Sequence, residues 1–306
     1  GGGVLLHKQR GQPWEHVDFR EEAPALYHPK TFCRNASCLA DPGCTCEDGA
    51  WSDDERCTGG HAAGVPGFPA LLAVAVRDNL TSVPLPALAE PAIAAARQGF
   101  VMYTGLHKSI QTWAQHLARD PAARDLFLSP DGTKPKADLG DILRLPQLAE
   151  TLELLVAAPE NFYNGTLGDE FVSAARHAVN NVTGKHGLLT KEDMVGYRAV
   201  YRKPVEYTHQ TVSGSKYSIA GSAPPFSGGV AQAQIFNYLE LLNSRVHEDL
   251  TRGLGYFIDA QNAAFADRNE YVADADFADV NVDMLTSKAY AQARVETLFP
   301  AAGDAA

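Results

Sequence analysis

The period of the hydrophobic residues changes along the chain, and this change sets the fold class that the sequence predicts. Apolar and polar residues alternate near the start, in VLLHKQ and WEHVDFR, and again after Arg198, in AVYRKPVEYTHQTV and KYSIAG. Such alternation is typical of β-strands with one buried face. Between these regions apolar residues recur at helical spacing, as in HKSIQTWAQHLARD, where Ile110, Trp113 and Leu117 share one face. This order predicts an α+β fold in a single domain.

Local signals predict where several elements begin and end. Residues 5–20 have the pattern of a hairpin, and Gly99 has the position of a helix C-cap. Thr190, followed three residues later by Asp193, predicts a capped helix start. Residues 138–158 are predicted to be helical, with one apolar face formed by Leu145, Leu148, Leu152 and Leu155.

Charge and length exclude some classes of protein. The 306 residues carry a formal net charge of −11 and contain no run of Lys or Arg, which argues against a nucleic-acid surface. The most apolar stretch, LLAVAV, is far too short to span a membrane. The chain starts at Gly1 without an initiator Met or a signal-peptide pattern, so we expect it to be internal to a longer gene product and incomplete at both ends.

All the cysteines fall in one short segment, 33–57, which is rich in Gly, Asp and Ser and has no helical or strand period. We interpret this segment as a Cys-rich loop insertion that is stapled by disulfides. Zinc is the alternative, although the segment has no C-x-x-C pair. The odd number of cysteines leaves one thiol over. The cysteines are Cys33, Cys38, Cys44, Cys46 and Cys57.

Acceptor patterns for N-glycosylation point to the same compartment as the cysteines. Asn35, Asn79, Asn164 and Asn181 each begin an N-x-S/T triplet. Together with the clustered cysteines, these triplets predict an extracellular or cell-surface protein that passes through a secretory pathway.

The chain contains no complete catalytic constellation of its own. It has no G-x-S-x-G, no P-loop, no G-x-G-x-x-G and no H-E-x-x-H. We therefore expect no catalytic residue, no metal site and no cofactor in this chain.

Nine segments, in order along the chain, resemble the large, N-terminal chain of the γ-glutamyltranspeptidases, or glutathione hydrolases. The segments are GGGVLL, DFREEAP, AGVPG, PAIAAARQGF, LPQLAETLELL, NFYNG, LLTKEDMVGYRAVYRKPV, PPFSGG and AFADRNEYVADADF. The resemblance implies the αββα four-layer sandwich of the N-terminal nucleophile hydrolases, of which this chain would be the large-chain portion.

The resemblance also implies a mechanism. Members of the family cut themselves before a threonine, which then uses its hydroxyl as nucleophile and its own amine as base. That threonine stands in a T-T-H segment, which this chain lacks. The nucleophile is therefore expected on a small chain outside this sequence, in a heterodimer made from one precursor. The implied substrates are glutathione and other γ-glutamyl compounds, whose γ-glutamyl group passes to water or to an amino acid or peptide.

One residue of this chain receives a specific role from the resemblance. Arg20 occupies the position of the arginine in D-F-R-E that binds the α-carboxylate of the γ-glutamyl group. The planar guanidinium fork matches a carboxylate through two hydrogen bonds. Asp18 or Glu21 would orient it from behind. The alternative is that Arg20 forms only a local ion pair within its acidic cluster.

Two other functions stay open at this point. The first is an amide acylase of the same superfamily, although an arginine that binds an α-carboxylate favours the γ-glutamyl enzyme. The second is a non-catalytic extracellular protein that retains the fold. A T-T-H segment in the sequence beyond residue 306 would distinguish the enzyme from the non-catalytic protein.

Overall fold

The computed structural model describes residues 1–28, 30–33, 57–180, 182–242 and 250–299. The strands are β1 Val4–His7, β2 Glu15–Asp18, β3 Phe100–Val101, β4 Ile142–Leu143, β5 Val200–Arg202, β6 Val205–Gln210 and β7 Lys216–Gly221. The α-helices are α1 Phe68–Arg77, α2 Leu85–Gln98, α3 Thr104–Thr112, α4 Ala114–Leu117, α5 Pro121–Phe127, α6 Pro146–Ala157, α7 Thr166–His177, α8 Lys191–Gly196, α9 Gly228–Leu241, α10 Leu250–Tyr271, α11 Val282–Leu285 and α12 Lys288–Leu298. Two short 3₁₀ helices lie at Gly60–Ala62 and Pro159–Phe162.

The chain folds as two compact units, a division that the sequence does not predict. The first unit comprises Gly1–Gly3 and Phe19–Ala199, and the second comprises Val4–Asp18 and Val200–Ala306. The chain crosses between the units within GGGVLL, HVDFRE and RAVYR, and the last two of these segments contain neither Gly nor Pro. At these two crossings the sequence therefore lacks the linker composition that commonly marks a domain boundary.

The first unit is mainly helical and has two apolar clusters. One cluster joins α1, α7 and α8 to the 3₁₀ helix Pro159–Phe162. Its buried members are Val65, Ala70, Tyr163, Val172, Ala175, Leu189, Met194 and Tyr197. The predicted cap of α8 is confirmed, because Thr190 and Asp193 exchange both hydrogen bonds of a capping box.

The other cluster of the first unit lies beside the β3–β4 pair. Its buried members are Met102, Ile110, Ala114, Leu128 and Leu143. Gly99 ends α2 with a φ of 98°, as its position predicted. The single helix predicted around Trp113 is wrong, since the backbone breaks there between α3 and α4 and the indole is 53% exposed. The helix predicted for 138–158 begins only at Pro146, because Ile142 and Leu143 pair with β3 instead.

The second unit contains two small antiparallel sheets. In the first, β1 and β2 form the predicted hairpin, with Leu5 opposite Val17, and β5 adds on the far side, with Tyr201 opposite Val17. Val17 is fully buried at the centre of this sheet. The second sheet pairs β6 with β7, with Tyr207 opposite Ile219.

The helices of the second unit pack through small residues. Ala260 and Ala264 of α10 are fully buried in the same cluster as Tyr238 and Leu242, at the C-terminal end of α9. Small side chains on one helix let large ones on its neighbour fill the space between them.

Candidate functional site

Arg20 is exposed and follows β2, on a backbone segment that is held on both flanks. On one flank, Phe19 exchanges two backbone hydrogen bonds with Gly3, at 3.0 and 3.2 Å. On the other flank, Glu22 exchanges two with Val65, at 2.8 and 3.3 Å. Because main-chain pairing fixes the residues before and after it, Arg20 presents its guanidinium from an ordered backbone.

Glycines let three stretches of main chain meet at this segment. A Cβ on Gly67 would overlap the carbonyl oxygen of Phe19, and a Cβ on Gly2 would overlap the same oxygen from another side. A Cβ on Gly64 would lie 2.8 Å from the carbonyl oxygen of Glu22. Backbone atoms cannot swing away as a flexible side chain can, so glycine is needed here for close approach.

A buried tyrosine binds the peptide of Arg20 itself. The hydroxyl of Tyr197 donates to the Arg20 carbonyl at 2.7 Å. Its ring stacks on Tyr163, with ring centroids 5.4 Å apart and 15° between the planes. Sequence reasoning missed both tyrosines, because these contacts join segments that lie far apart in the chain.

The capping box of α8 also holds the chain beyond Arg20. One carboxylate oxygen of Asp193 accepts from the Ala25 amide at 2.9 Å, while the other accepts from the Thr190 amide at 2.8 Å. Burial on its own raises the pKa of Asp193, but the hydrogen bonds from Ala25 and Thr190 outweigh it and lower that pKa. Asp193 therefore stays ionised and anchors the segment that follows Arg20.

Asp18, predicted to support Arg20, is the buried end of an ion-pair chain in the second unit that reaches the exposed Asp276. Arg202 donates through Nε to Asp18 at 2.7 Å and through both Nη atoms to Asp276, at 2.9 and 2.6 Å. Hydrogen bonds from Arg202 lower the pKa of Asp276, and the same contacts raise the pKa of Arg202. Arg202 was not singled out from the sequence, and the support of Arg20 by Asp18 stays a prediction.

A buried, neutral histidine lies on β2, two residues before Asp18. His16 is fully buried, and its Nδ1 accepts from the Ala223 amide at 3.3 Å. Burial lowers the pKa of His16, and the charge of Asp18 offsets this only in part.

Glu21 is exposed beside Arg20 in sequence, with its main chain against Gly2. Its orienting role and the binding of a carboxylate by Arg20 stay predictions. The structure shows that Arg20 is exposed on a backbone segment with three fixed points. Phe19 and Glu22 are held by backbone hydrogen bonds, and the Arg20 carbonyl is held by Tyr197.

The Cys-rich loop insertion lies largely outside the described residues. Cys33 is buried and disulfide-bonded, whereas Cys57 is exposed with a free thiol. Cys38, Cys44 and Cys46 fall outside the described residues.

Two of the glycosylation acceptors are described, and both are exposed. Asn79 stands just after α1 with a φ of 53°, and Asn164 stands just before α7. Asn35 and Asn181 fall outside the described residues.

The described residues bring no group of three or more His, Cys, Asp or Glu side chains together in a way that would hold a metal ion. In the same part of the chain, no helix combines the length and apolar character needed to cross a membrane.

A comparison with family models decides which family the chain is part of. The model for the family described as Gamma-glutamyltranspeptidase matches residues 1–306. The chain belongs to this family. The match runs through both compact units and includes the Arg20 segment with the glycines that pack against it.

Individual relatives agree with this assignment. The glutathione hydrolase proenzyme of Escherichia coli (strain K12) is 29% identical over 295 residues, covering 95% of this chain and 46% of the relative. Acylase ACY 1 proenzyme of Pseudomonas sp. (strain V22) is 33% identical over 246 residues, covering 79% of this chain and 41% of the relative. This chain therefore spans less than half the length of these relatives.

A solved structure confirms the fold class. The γ-glutamyltranspeptidase of Helicobacter pylori aligns with a TM-score of 0.80 at 26% identity, covering 98% of this chain and 79% of that one. The chain thus has the α+β fold of the N-terminal nucleophile hydrolases, in the large-chain portion of their αββα sandwich.

Proposed function

We propose that this chain is the large-chain part of an enzyme that cleaves the γ-glutamyl amide of glutathione. The enzyme transfers the γ-glutamyl group to water or to an amino acid or peptide. The observation that carries the proposal is the setting of Arg20, whose exposed guanidinium stands on a backbone fixed at both flanks. Membership of the family across the whole chain supports it.

The chemistry of the donor explains the need for such an arginine. A γ-glutamyl group carries an α-carboxylate at the end opposite the amide that is cleaved. Two parallel N–H···O bonds from one guanidinium fix both the position and the plane of that carboxylate. Binding at this remote end holds the amide carbonyl where a nucleophile can reach it.

The nucleophile itself belongs, in this proposal, to a small chain that carries an N-terminal threonine. Its hydroxyl attacks the amide carbon and its own amine takes the proton. The C–N bond then breaks, the amine of cysteinylglycine leaves with a proton, and an ester to the threonine forms. Water or an acceptor amine cleaves this ester and frees the threonine.

Replacing Arg20 in the full-length protein tests the proposal. For Arg20→Ala, we expect kcat/KM toward a γ-glutamyl donor to fall at least about a hundredfold, since charge-assisted hydrogen bonds contribute about 1.5–3 kcal/mol each. Arg20→Lys should recover only part of the loss, because a point charge cannot replace the fork. Self-cleavage, followed on a gel, should continue in both variants.

The control for this experiment is Arg10→Ala, which removes an exposed arginine from the turn after β1 and should leave kcat/KM within about twofold. If Arg20→Ala kept normal turnover, the local ion-pair alternative would be correct. If it blocked self-cleavage instead, Arg20 would be a folding residue.

The similarity to Acylase ACY 1 favours one competing function, that of an amide acylase. The two functions differ in whether the acyl donor carries an α-carboxylate. A γ-glutamyl anilide and a 4-aminobutyryl anilide differ by this carboxylate alone. We expect the first to be hydrolysed much faster, whereas equal rates would favour the acylase. A wild-type protein that hydrolyses neither anilide would favour the non-catalytic alternative.

We also propose that the protein passes through a secretory pathway to the cell surface or the extracellular space. The disulfide at Cys33 and the exposure of Asn79 and Asn164 support this. Expressed in a eukaryotic secretory host, the protein should lose mass on glycan removal, and Asn79→Gln should reduce that loss. Asn161→Gln, outside any triplet, is the matched control. Five free thiols in the unreduced protein would contradict the proposal.

A further inference from the structure

The Arg20 carbonyl accepts a hydrogen bond from a side chain, whereas the residues on either side of it are held by backbone pairing. Phe19 and Glu22 form the paired positions on either side, whereas the Arg20 carbonyl accepts from the hydroxyl of Tyr197. The two residues are separated by 177 positions in the chain. A backbone carbonyl next to buried main chain needs such a partner, so Tyr197 helps to set the plane of the Arg20 peptide.

Tyr197 is itself held firmly. It is 2% exposed, and its ring stacks on Tyr163 in the apolar cluster that contains Leu189 and Met194. The hydroxyl of Tyr163 donates to the Pro66 carbonyl at 2.6 Å and accepts from the Ala70 amide at 3.1 Å. The Tyr163 ring is therefore anchored to the start of α1 and the turn before it. Because the Tyr197 ring stacks on it, Tyr197 has little freedom to rotate.

Gly67 lies close to the Tyr197 hydroxyl. A Cβ on this residue would lie 2.5 Å from the Tyr197 hydroxyl, besides overlapping the Phe19 carbonyl oxygen. Glycine at position 67 therefore leaves the space that the Phe19 carbonyl and the Tyr197 hydroxyl occupy beside the Arg20 carbonyl.

We propose that Tyr197 is a positioning residue that sets the orientation of the Arg20 guanidinium toward the carboxylate of the donor. This inference rests on the proposed role of Arg20. Bidentate recognition tolerates errors of only about 0.5 Å and 10–20° in the supporting geometry. A small tilt of the Arg20 peptide, passed along the side chain, is enough to break one of the two hydrogen bonds.

The direct test is Tyr197→Phe in the full-length protein, which removes the hydroxyl and keeps the stacked ring. We expect KM for a γ-glutamyl anilide to rise about three- to tenfold with kcat within about twofold, because the lost interaction acts equally on the bound donor and on its transition state. The preference for the γ-glutamyl over the 4-aminobutyryl anilide should shrink by the same factor.

Two matched Tyr→Phe variants separate positioning from stability. Tyr163→Phe removes a buried hydroxyl from the same stack but keeps the bond from Tyr197 to the Arg20 carbonyl, so it should lower the melting temperature and raise KM less than Tyr197→Phe does. Tyr207 has a buried hydroxyl with no hydrogen-bond partner among the described residues, so Tyr207→Phe should leave both values unchanged.

The combination with Arg20→Ala separates this inference from the proposed function. If Arg20→Ala leaves kcat/KM unchanged, the proposed function fails and the inference fails with it. If Arg20→Ala lowers kcat/KM as expected but Tyr197→Phe leaves KM unchanged, only the positioning role is overturned. When both raise KM, Tyr197→Phe should add less than about twofold on top of Arg20→Ala, since no guanidinium is left to orient. If Tyr197→Phe raised KM by its full factor even in the Arg20→Ala background, Tyr197 would have a structural role only.

Discussion

At the scale of single residues, the carboxylate of Asp267 shows how the second unit satisfies a buried charge. One oxygen accepts from Gln234, Tyr238 and Tyr290, at 3.0, 3.2 and 3.0 Å. The other oxygen accepts from Arg294 at 2.7 Å. Burial, reinforced by the bond to Asp267, raises the pKa of Tyr290 to about 12, so this phenol remains a donor at physiological pH. The four partners lie on α9 and α12, whereas Asp267 lies on α10, so one carboxylate ties three helices together.

We predict that Asp267→Asn destabilises the protein strongly although it hardly changes the shape of the side chain. The new amide would point N–H groups at existing donors and leave the charge of Arg294 without its buried partner. Removing one member of such a pair costs about 3–5 kcal/mol. Urea unfolding of the full-length protein should show the lower midpoint. Asp267→Asn combined with Arg294→Gln should lose less than the sum of the two single variants, and strict additivity would contradict the network.

At the scale of elements, the sequence predicts best where the signal is local. The β1–β2 hairpin, the end of α2 at Gly99 and the capping box of α8 all formed as predicted, because each depends on residues that are close in the chain. The helix break at Trp113 was not predicted, because the sequence pattern used only the apolar character of the indole. Its ring lies edge-on to His116 at 5.1 Å, while Ile110 and Ala114 form the buried face. The prediction had placed the indole on the buried face with Ile110, whereas it is exposed.

In the candidate site too, residues with a local sequence signal could be predicted and residues brought together by the fold could not. Arg20 could be named from the sequence because a short segment carries its resemblance. Its supports, Gly67 and Tyr197, could not, since close approach of main chains and a hydrogen bond across 177 positions leave no periodic signal. The pairing of Asp18 with Arg202 was missed because the two residues are 184 positions apart, and the strand pattern around Arg202 carries no signal for an ion pair.

At the scale of the whole molecule, the second unit leaves apolar surface in contact with solvent. In the described part of the chain, no further strand pairs with the outer sides of β1 and β5, and Tyr201 is 44% exposed. On α10, Leu254, Ile258 and Phe265 are each about half exposed or more. Open strand edges and apolar patches of this kind mark surfaces that another segment covers. The chain spans less than half the length of the relatives named above. In the proposed function, a small chain from the same precursor covers this surface.

We therefore predict that this chain, expressed alone, is poorly folded and self-associates. Size-exclusion chromatography should show aggregates, and a dye that binds exposed apolar surface should fluoresce strongly. Co-expression with the remainder of the precursor should abolish both effects, because the apolar surface is then buried. As a matched control, Leu254→Gln with Ile258→Gln should reduce aggregation of the isolated chain, since the change removes exposed apolar area without entering the core. A monomeric profile and a cooperative thermal transition for the unmodified isolated chain would show that the two units complete their cores without a partner.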